Sequence, residues 1–209
     1  MKFPIKVPQE FDKYWSDIDG IPGWLDKEEA EFLFKIAINT GEPVVELGAW
    51  MGRSTAVFAS ALRWSNPNHK VLSIDTFEGS DEHQVGGKFY DKKTVDPQTG
   101  KINIFPFFME NLEKRDLLTW VDARRIDSAA AAKDFSGAVG LLFVDADHRY
   151  EAISRDLDAW MPKLSNRGIV VLHDVGYWEG PTRAAADLLG LGFRRIGQAR
   201  SALALRRST

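Results

Sequence analysis

The sequence contains no cysteine. Disulfides, thiolate nucleophiles and cysteine-ligated zinc or iron–sulfur centres are therefore excluded. It has no excess of positive charge either. The formal net charge is -3, so there is no electrostatic case for a nucleic-acid partner. No apolar run is long enough to cross a bilayer, and no membrane partner is expected. The first residues, M-K-F-P-I-K-V-P-Q-E, lack the apolar stretch of a leader peptide, which makes the cytoplasm the expected compartment. Repeats and low-complexity tracts are absent. So are the G-x-G-x-x-G spacing of dinucleotide binders and an N-P-P-Y element of the kind used on exocyclic amines of nucleic acids.

What remains is an ordinary globular composition, 44% hydrophobic and 27% charged, in 209 residues, which suits one large α/β domain with a real core. Residues 1–25 are rich in proline and aromatics (Phe3, Phe11, Tyr14, Trp15, Trp24) and have weak periodicity. They read as an arm packed on a domain at 26–209, with a surface that could serve a homodimer contact. D-K-E-E-A-E-F-L-F-K-I-A-I-N-T-G is a helix, with Asp26 and Glu29 at capping-box spacing and Gly41 at its end. From there apolar strands and amphipathic helices alternate: P-V-V-E-L-G, then G-R-S-T-A-V-F-A-S-A-L-R-W, then K-V-L-S-I-D. Residues 78–109 interrupt the pattern as a long loop holding Gly86, Gly87, Pro97, Gly100 and Pro106, and loops of this length are usually functional or disordered. A helix near Phe108–Asp116 and the strand T-W-V-D-A-R-R-I follow. The rest is a short alanine-rich helix, the strand G-L-L-F-V-D, the helix from Arg149, the strand G-I-V-V-L-H-D, a helix opened by Gly180-Pro181, and a closing antiparallel pair. This alternation predicts a parallel sheet with helices on both faces, in which ligands bind beyond the carboxyl ends of the strands. Acids are poor strand formers, yet Glu46, Asp75, Asp145 and Asp174 stand at those ends, and Asp127 follows the third strand.

The turn E-L-G-A-W-M-G-R-S-T places Gly48 and Gly52 where a tight turn or close backbone approach is needed, with Ser54 and Thr55 at a helix start. Its G-x-x-x-G spacing suits a nucleoside without phosphate. Glu46 would meet an ammonium group, directly or through water, and Gly48 would let an amino-acid tail lie over the turn. Asp75 would accept both ribose hydroxyls; read alone, it is also an ordinary loop acid. Thr76 stands beside it. Phe77 either stacks on a base or belongs to the core. Asp127 would accept an exocyclic amine, and Ser128 either joins it or caps the next helix.

F-V-D-A-D-H-R-Y-E and V-V-L-H-D would bring Asp145 and Asp174 together on adjacent strands, a pair that suits a hard divalent cation such as Mg²⁺. His148 would reach a substrate hydroxyl as general base. Asp147 reads as a helix cap. His173 is either a third ligand or a buried, satisfied histidine.

E-L-G-A-W-M-G-R-S-T, V-L-S-I-D-T-F, F-V-D-A-D-H-R-Y-E-A-I-S-R-D-L-D-A-W-M-P-K-L and G-I-V-V-L-H-D together resemble class I S-adenosylmethionine (SAM)-dependent methyltransferases, and among them the macrocin-type O-methyltransferase and cephalosporin hydroxylase-like group, from about Ile21 to near the end. The resemblance implies a Rossmann-like three-layer sandwich with a mostly parallel seven-stranded sheet and an antiparallel last strand. It implies SAM at Glu46, Gly48, Gly52, Ser54, Asp75 and Asp127, with Thr76, Phe77, Ser128 and Asp145 beside them. It implies Mg²⁺ at Asp145 and Asp174, and His148 as base. The sequence departs at His173, where the metal-dependent members carry an acid. The acceptor implied is a hydroxyl on a small molecule, a sugar or other natural product, with 78–109 acting as a lid. Two other readings share the fold, an NAD-binding oxidoreductase and a nucleoside-binding module without catalysis.

Overall fold

A computed structural model of the protein describes residues 11–208. Phe3, at the start of the proposed arm, lies outside them. The described part of the arm is more regular than its sequence suggests, because residues 11–18 form a short helix, α1 (Phe11–Ile18). Phe11 and Ile18 are buried against the domain, and the Phe11 and Tyr14 rings pack on Phe34 at 5.4 and 5.7 Å.

Helix α2 (Lys27–Thr40) starts at a complete capping box between Asp26 and Glu29 and ends at Gly41 in the left-handed conformation. There follow β1 (Val44–Leu47), α3 (Arg53–Ser65) and β2 (Val71–Asp75). The long loop holds two single 3-10 turns, Asp81–His83 and Lys92–Thr94, before α4 (Phe105–Glu113). That helix starts three residues earlier than its sequence pattern indicates, since Pro106 fits the first turn, where no backbone N–H is needed. Next come β3 (Val121–Arg125), α5 (Ser128–Asp134), β4 (Val139–Val144), α6 (Tyr150–Trp160), β5 (Leu164–Leu172), α7 (Glu179–Gly190), β6 (Phe193–Ala199) and β7 (Ala202–Arg207).

The seven strands form one sheet in the order β3-β2-β1-β4-β5-β7-β6, in which β7 alone runs antiparallel. Successive residues of a central strand face opposite sides and are apolar on both. Val44, Leu141 and Phe143 join the core beneath α1 to α4, while Val45, Leu142 and Val144 join the one beneath α5 to α7. Each such buried aliphatic or aromatic side chain contributes roughly 1.5–3 kcal/mol. Among the described residues, no helix is long and apolar enough to cross a membrane.

The chain order reverses between β1 and β4, which opens a crevice at their carboxyl ends. Register fixes what lines it. Ile74, Leu47, Val144 and Leu172 form one cross-strand row. The next row is therefore Asp75, Gly48, Asp145 and His173, held by Gly48 N–H to Ile74 O (2.9 Å), Asp145 N–H to Leu47 O (2.8 Å) and His173 N–H to Val144 O (3.2 Å).

Candidate functional site

That row floors a cavity of about 340 Å³. One end is lined by Ser54, Asp75, Thr76, Ile126, Asp127 and Ser128. The other, beyond β4 and β5, is lined by Asp145, His148, Asp174 and Trp178, and Trp24 and Phe89 also line the cavity.

At the first end, Asp75 closes the glycine turn. Its Oδ2 accepts from Ala49 N–H (2.8 Å) and Trp50 N–H (3.0 Å), and its Oδ1 from Phe77 N–H (2.7 Å). An ionised carboxylate has about four acceptor sites, so capacity for a ligand hydroxyl remains. Asp127 caps α5 through Ala130 N–H (3.0 Å) and pairs with Arg155 (2.9 Å). Ser128 is not the cap; its hydroxyl donates to the buried Asp156 at 2.6 Å, whose carboxyl burial pushes up.

Three expected cofactor residues sit elsewhere. Glu46 is fully buried beneath the cavity, because its register partner is Ser73, which donates to it together with Thr55. Burial pushes its carboxyl up to about 7, against hydrogen bonds from Ser54, Ser73 and Thr55. Its Oε1 is buried without a partner. Phe77 belongs to the core, packed on Phe105 and Phe108 at 5.0 and 4.9 Å. Gly52 faces Phe108 rather than the cavity. Gly48 does line the cavity, but its missing side chain makes room for the sheet: a Cβ there would lie 2.3 Å from the Asp145 carbonyl oxygen.

At the second end His148 is held on both nitrogens, Nε2 3.0 Å from Asp174 and Nδ1 3.0 Å from Glu82. Its ring stacks on Trp178 at 4.5 Å and 12°. Burial disfavours the charged ring, but the hydrogen bonds to Asp174 and Glu82 and the charges of Asp145 and Asp174 outweigh it and push the pKa up to about 9. Hydrogen bonds and charges from His148 and His173 hold Asp174 well below the usual carboxylate range against its burial. Asp147 accepts from Arg149 N–H (2.8 Å) and its guanidinium, just ahead of α6.

His173 is the buried member of a second network. Nδ1 lies 3.2 Å from Asp145 and 3.4 Å from Asp174, and Nε2 lies 3.4 Å from both Glu29 and Ser201. Burial opposes its charge, yet Asp145, Asp174 and Glu29 keep its pKa well above the ordinary value. Nδ1, although close to both carboxylates, is buried without a hydrogen bond. The donor atoms that converge are instead those of Asp145, His148 and Asp174, all within 4.8 Å of one another. His173, expected as a third ligand, stands outside that group.

Four rings form a wall over the cavity. His83 lies 4.1 Å from Trp50, and Trp24 lies 5.6 Å from Trp50 and 5.0 Å from Phe89. Burial lowers the His83 pKa and favours its neutral form. Glu82 and His83 were not legible as site residues, because their loop has no periodicity and they reach the site only through tertiary docking.

The family model described as a methyltransferase domain matches residues 45–175. An uncharacterized protein of Sinorhizobium fredii, y4gI, is 29% identical over 157 residues, which cover 72% of this chain and 16% of that one. The chain thus spans about a sixth of the length of that relative. Among solved structures, the O-methyltransferase NovP superposes with a TM-score of 0.66 at 19% identity, over 87% of this chain and 80% of NovP. The S-adenosylhomocysteine (SAH)-bound methyltransferase PaMTH1 of Podospora anserina does so with 0.66 at 14%, over 97% and 89%. At these identities the likeness is one of fold.

Proposed function

The chain belongs to the methyltransferase-domain family whose model matches residues 45–175, and on that premise we propose that it moves the methyl group of SAM to a hydroxyl oxygen of a small, ring-bearing acceptor such as a sugar or other natural product. One observation carries this reading: a single cavity joins an acid-bearing end to an imidazole held between carboxylates. The residues fit SAM. Asp75 and Asp127 flank the end that suits ribose and adenine, Ser54 offers a hydroxyl, and the turn at Gly48 offers backbone to a tail without phosphate. The carboxylate lining suits a ligand with an ammonium and a sulfonium charge. The four-ring wall supports an acceptor with an apolar ring face.

When bound, SAM supplies an electrophilic methyl group on a positively charged sulfur. The protein's share is position and proton transfer. The aromatic wall presses the acceptor ring toward the acidic floor. Asp174 fixes the edge of His148 that faces the cavity, and His148, once Nε2 has given up the proton it shares with Asp174, takes the hydroxyl proton as the oxygen forms its bond to the methyl carbon. The electron pair of the broken carbon–sulfur bond stays on sulfur, so charge and atoms balance.

Asp145, His148 and Asp174 also fit a divalent cation, which would stabilise the acceptor alkoxide. The two carboxylates suit Mg²⁺, while the imidazole suits softer ions. A cation bound through Nε2 of His148 would take the nitrogen that a base needs, so metal assistance and imidazole base are alternatives at one atom.

Calorimetric titration with SAH, with and without Mg²⁺, tests the reading, followed by an acceptor screen for a mass gain of one methylene. We expect SAH to bind in both conditions. No binding in either would refute the SAM site, and binding without turnover on any hydroxyl acceptor would favour a module without catalysis.

A further inference from the structure

Resting on the reading above, we propose that Glu82 is a positioning residue for His148, delivered by the loop after β2, so that the base is assembled only when that loop is docked. The two nitrogens of His148 have different surroundings. Nε2 meets Asp174, which lines the cavity, whereas Nδ1 meets Glu82, which lies outside the lining. A base that takes a proton on one nitrogen must keep a proton on the other, and a carboxylate on that second nitrogen fixes the tautomer and stabilises the imidazolium that forms. Glu82 stands in that place. Asp174 comes from the rigid sheet end, but Glu82 comes from a loop 66 residues away in sequence.

The loop is built to hold Glu82 there. Phe89 N–H donates to the Glu82 carbonyl oxygen at 2.9 Å, folding residues 82–89 into a hook. Gly87 permits the fold, since a Cβ at that position would lie 2.2 Å from the same oxygen. The Ser80 N–H and hydroxyl meet His83 Nδ1 at 3.2 and 2.9 Å, which turns the His83 ring onto Trp50. The second carboxylate oxygen of Glu82 is buried without a partner. A buried acceptor left unsatisfied is costly for a residue that only docks a loop, and is understandable where the other oxygen has a task.

The transfer step starts from His148 with Nε2 deprotonated, the proton it shares with Asp174 having gone to solvent; the acceptor proton then goes to Nε2 while the Nδ1 proton stays hydrogen-bonded to Glu82. Opening the loop would remove that bond and leave the ring free to change tautomer. Closure over an acceptor would therefore complete the site, a form of induced fit.

Side-chain ¹⁵N–¹H spectra of the histidines, assigned with His148→Ala, test the proposal in wild type and in Glu82→Gln, Glu82→Asp and Gly87→Val. Hydrogen exchange at residues 79–89 reports docking in parallel. We expect a protected Nδ1 proton on His148 in wild type, its loss in Glu82→Gln and Gly87→Val, and partial return in Glu82→Asp. With an acceptor in hand, kcat should fall about 10–100-fold in Glu82→Gln with KM within about threefold. An unchanged His148 signature in Glu82→Gln, with loop exchange raised, would show a docking role alone and overturn the proposal. The spectra need no bound ligand. A wild type that fails to bind SAH would thus sink the methyltransferase reading while the Glu82–His148 pairing is still decided.

Discussion

Glu46 shows how far one side chain can be from its sequence-level role. An acid at the end of β1 reads as a ligand for an ammonium group, but register aims it at Ser73 and buries it completely. Its carboxyl titrates near 7 in the folded protein against an ordinary value of 4.5, because burial disfavours the charge. Between those values the folded state holds the proton and the unfolded state loses it. Stability therefore falls as pH rises from about 4.5 to about 7, by on the order of 3 kcal/mol at the plateau. Glu46→Gln should remove this slope and raise the melting temperature at pH 8, as read by thermal denaturation across pH. SAH affinity within about threefold of wild type would fit a structural Glu46, whereas a loss above tenfold would restore direct contact with the ammonium. Asp75, Asp145, His148 and Asp174 were legible because polar residues at strand ends stand out against apolar runs. Glu82 and the second task of Glu29 on Ser201 and His173 were not, since nothing local in the sequence encodes a contact made across the fold.

Among the elements, the β1–α3 turn sets the shape of the site. Its first glycine is demanded by the neighbouring strand end, with φ +86 and the Asp145 carbonyl in the space a side chain would fill. Gly48→Ala must strain the turn and push the ends of β1 and β4 apart, and should cost about 2–4 kcal/mol. Gly176 has a like φ of +89 but open space around it, so Gly176→Ala should cost only about 1–2 kcal/mol. Urea unfolding of both variants checks the contrast; equal losses would mean that backbone conformation, not crowding, is what Gly48 satisfies. Strands and long helices were legible from period and caps, as Asp26, Glu29 and Gly41 show around α2. The short α1 was not, because eight residues after a proline-rich start give too few turns for a period to emerge. The order within 78–104 comes from packing of Trp24, Trp50, His83 and Phe89, which no pattern along the chain announces.

For the whole molecule, the question is which nucleoside-bearing ligand the switch point is made for. A dinucleotide would bring a pyrophosphate over a turn whose neighbours in the floor are Asp75 and Asp145. It would find no G-x-G-x-x-G loop to hold it. SAM and SAH bring an ammonium group instead, and the carboxylates then attract rather than repel. A ligand bound only by the folded state stabilises it by about 2.7 kcal/mol at a hundredfold excess over Kd. At this chain length each kcal/mol moves Tm by about 2–4 °C. SAH at that excess should therefore raise Tm by about 5–10 °C, while NADH at equal concentration should leave it within about 1 °C. A scan with both ligands decides between the two classes. A shift with NADH alone would mean that the acidic floor is neutralised or rearranged on binding, and the oxidoreductase reading would then account for the cavity better than methyl transfer does.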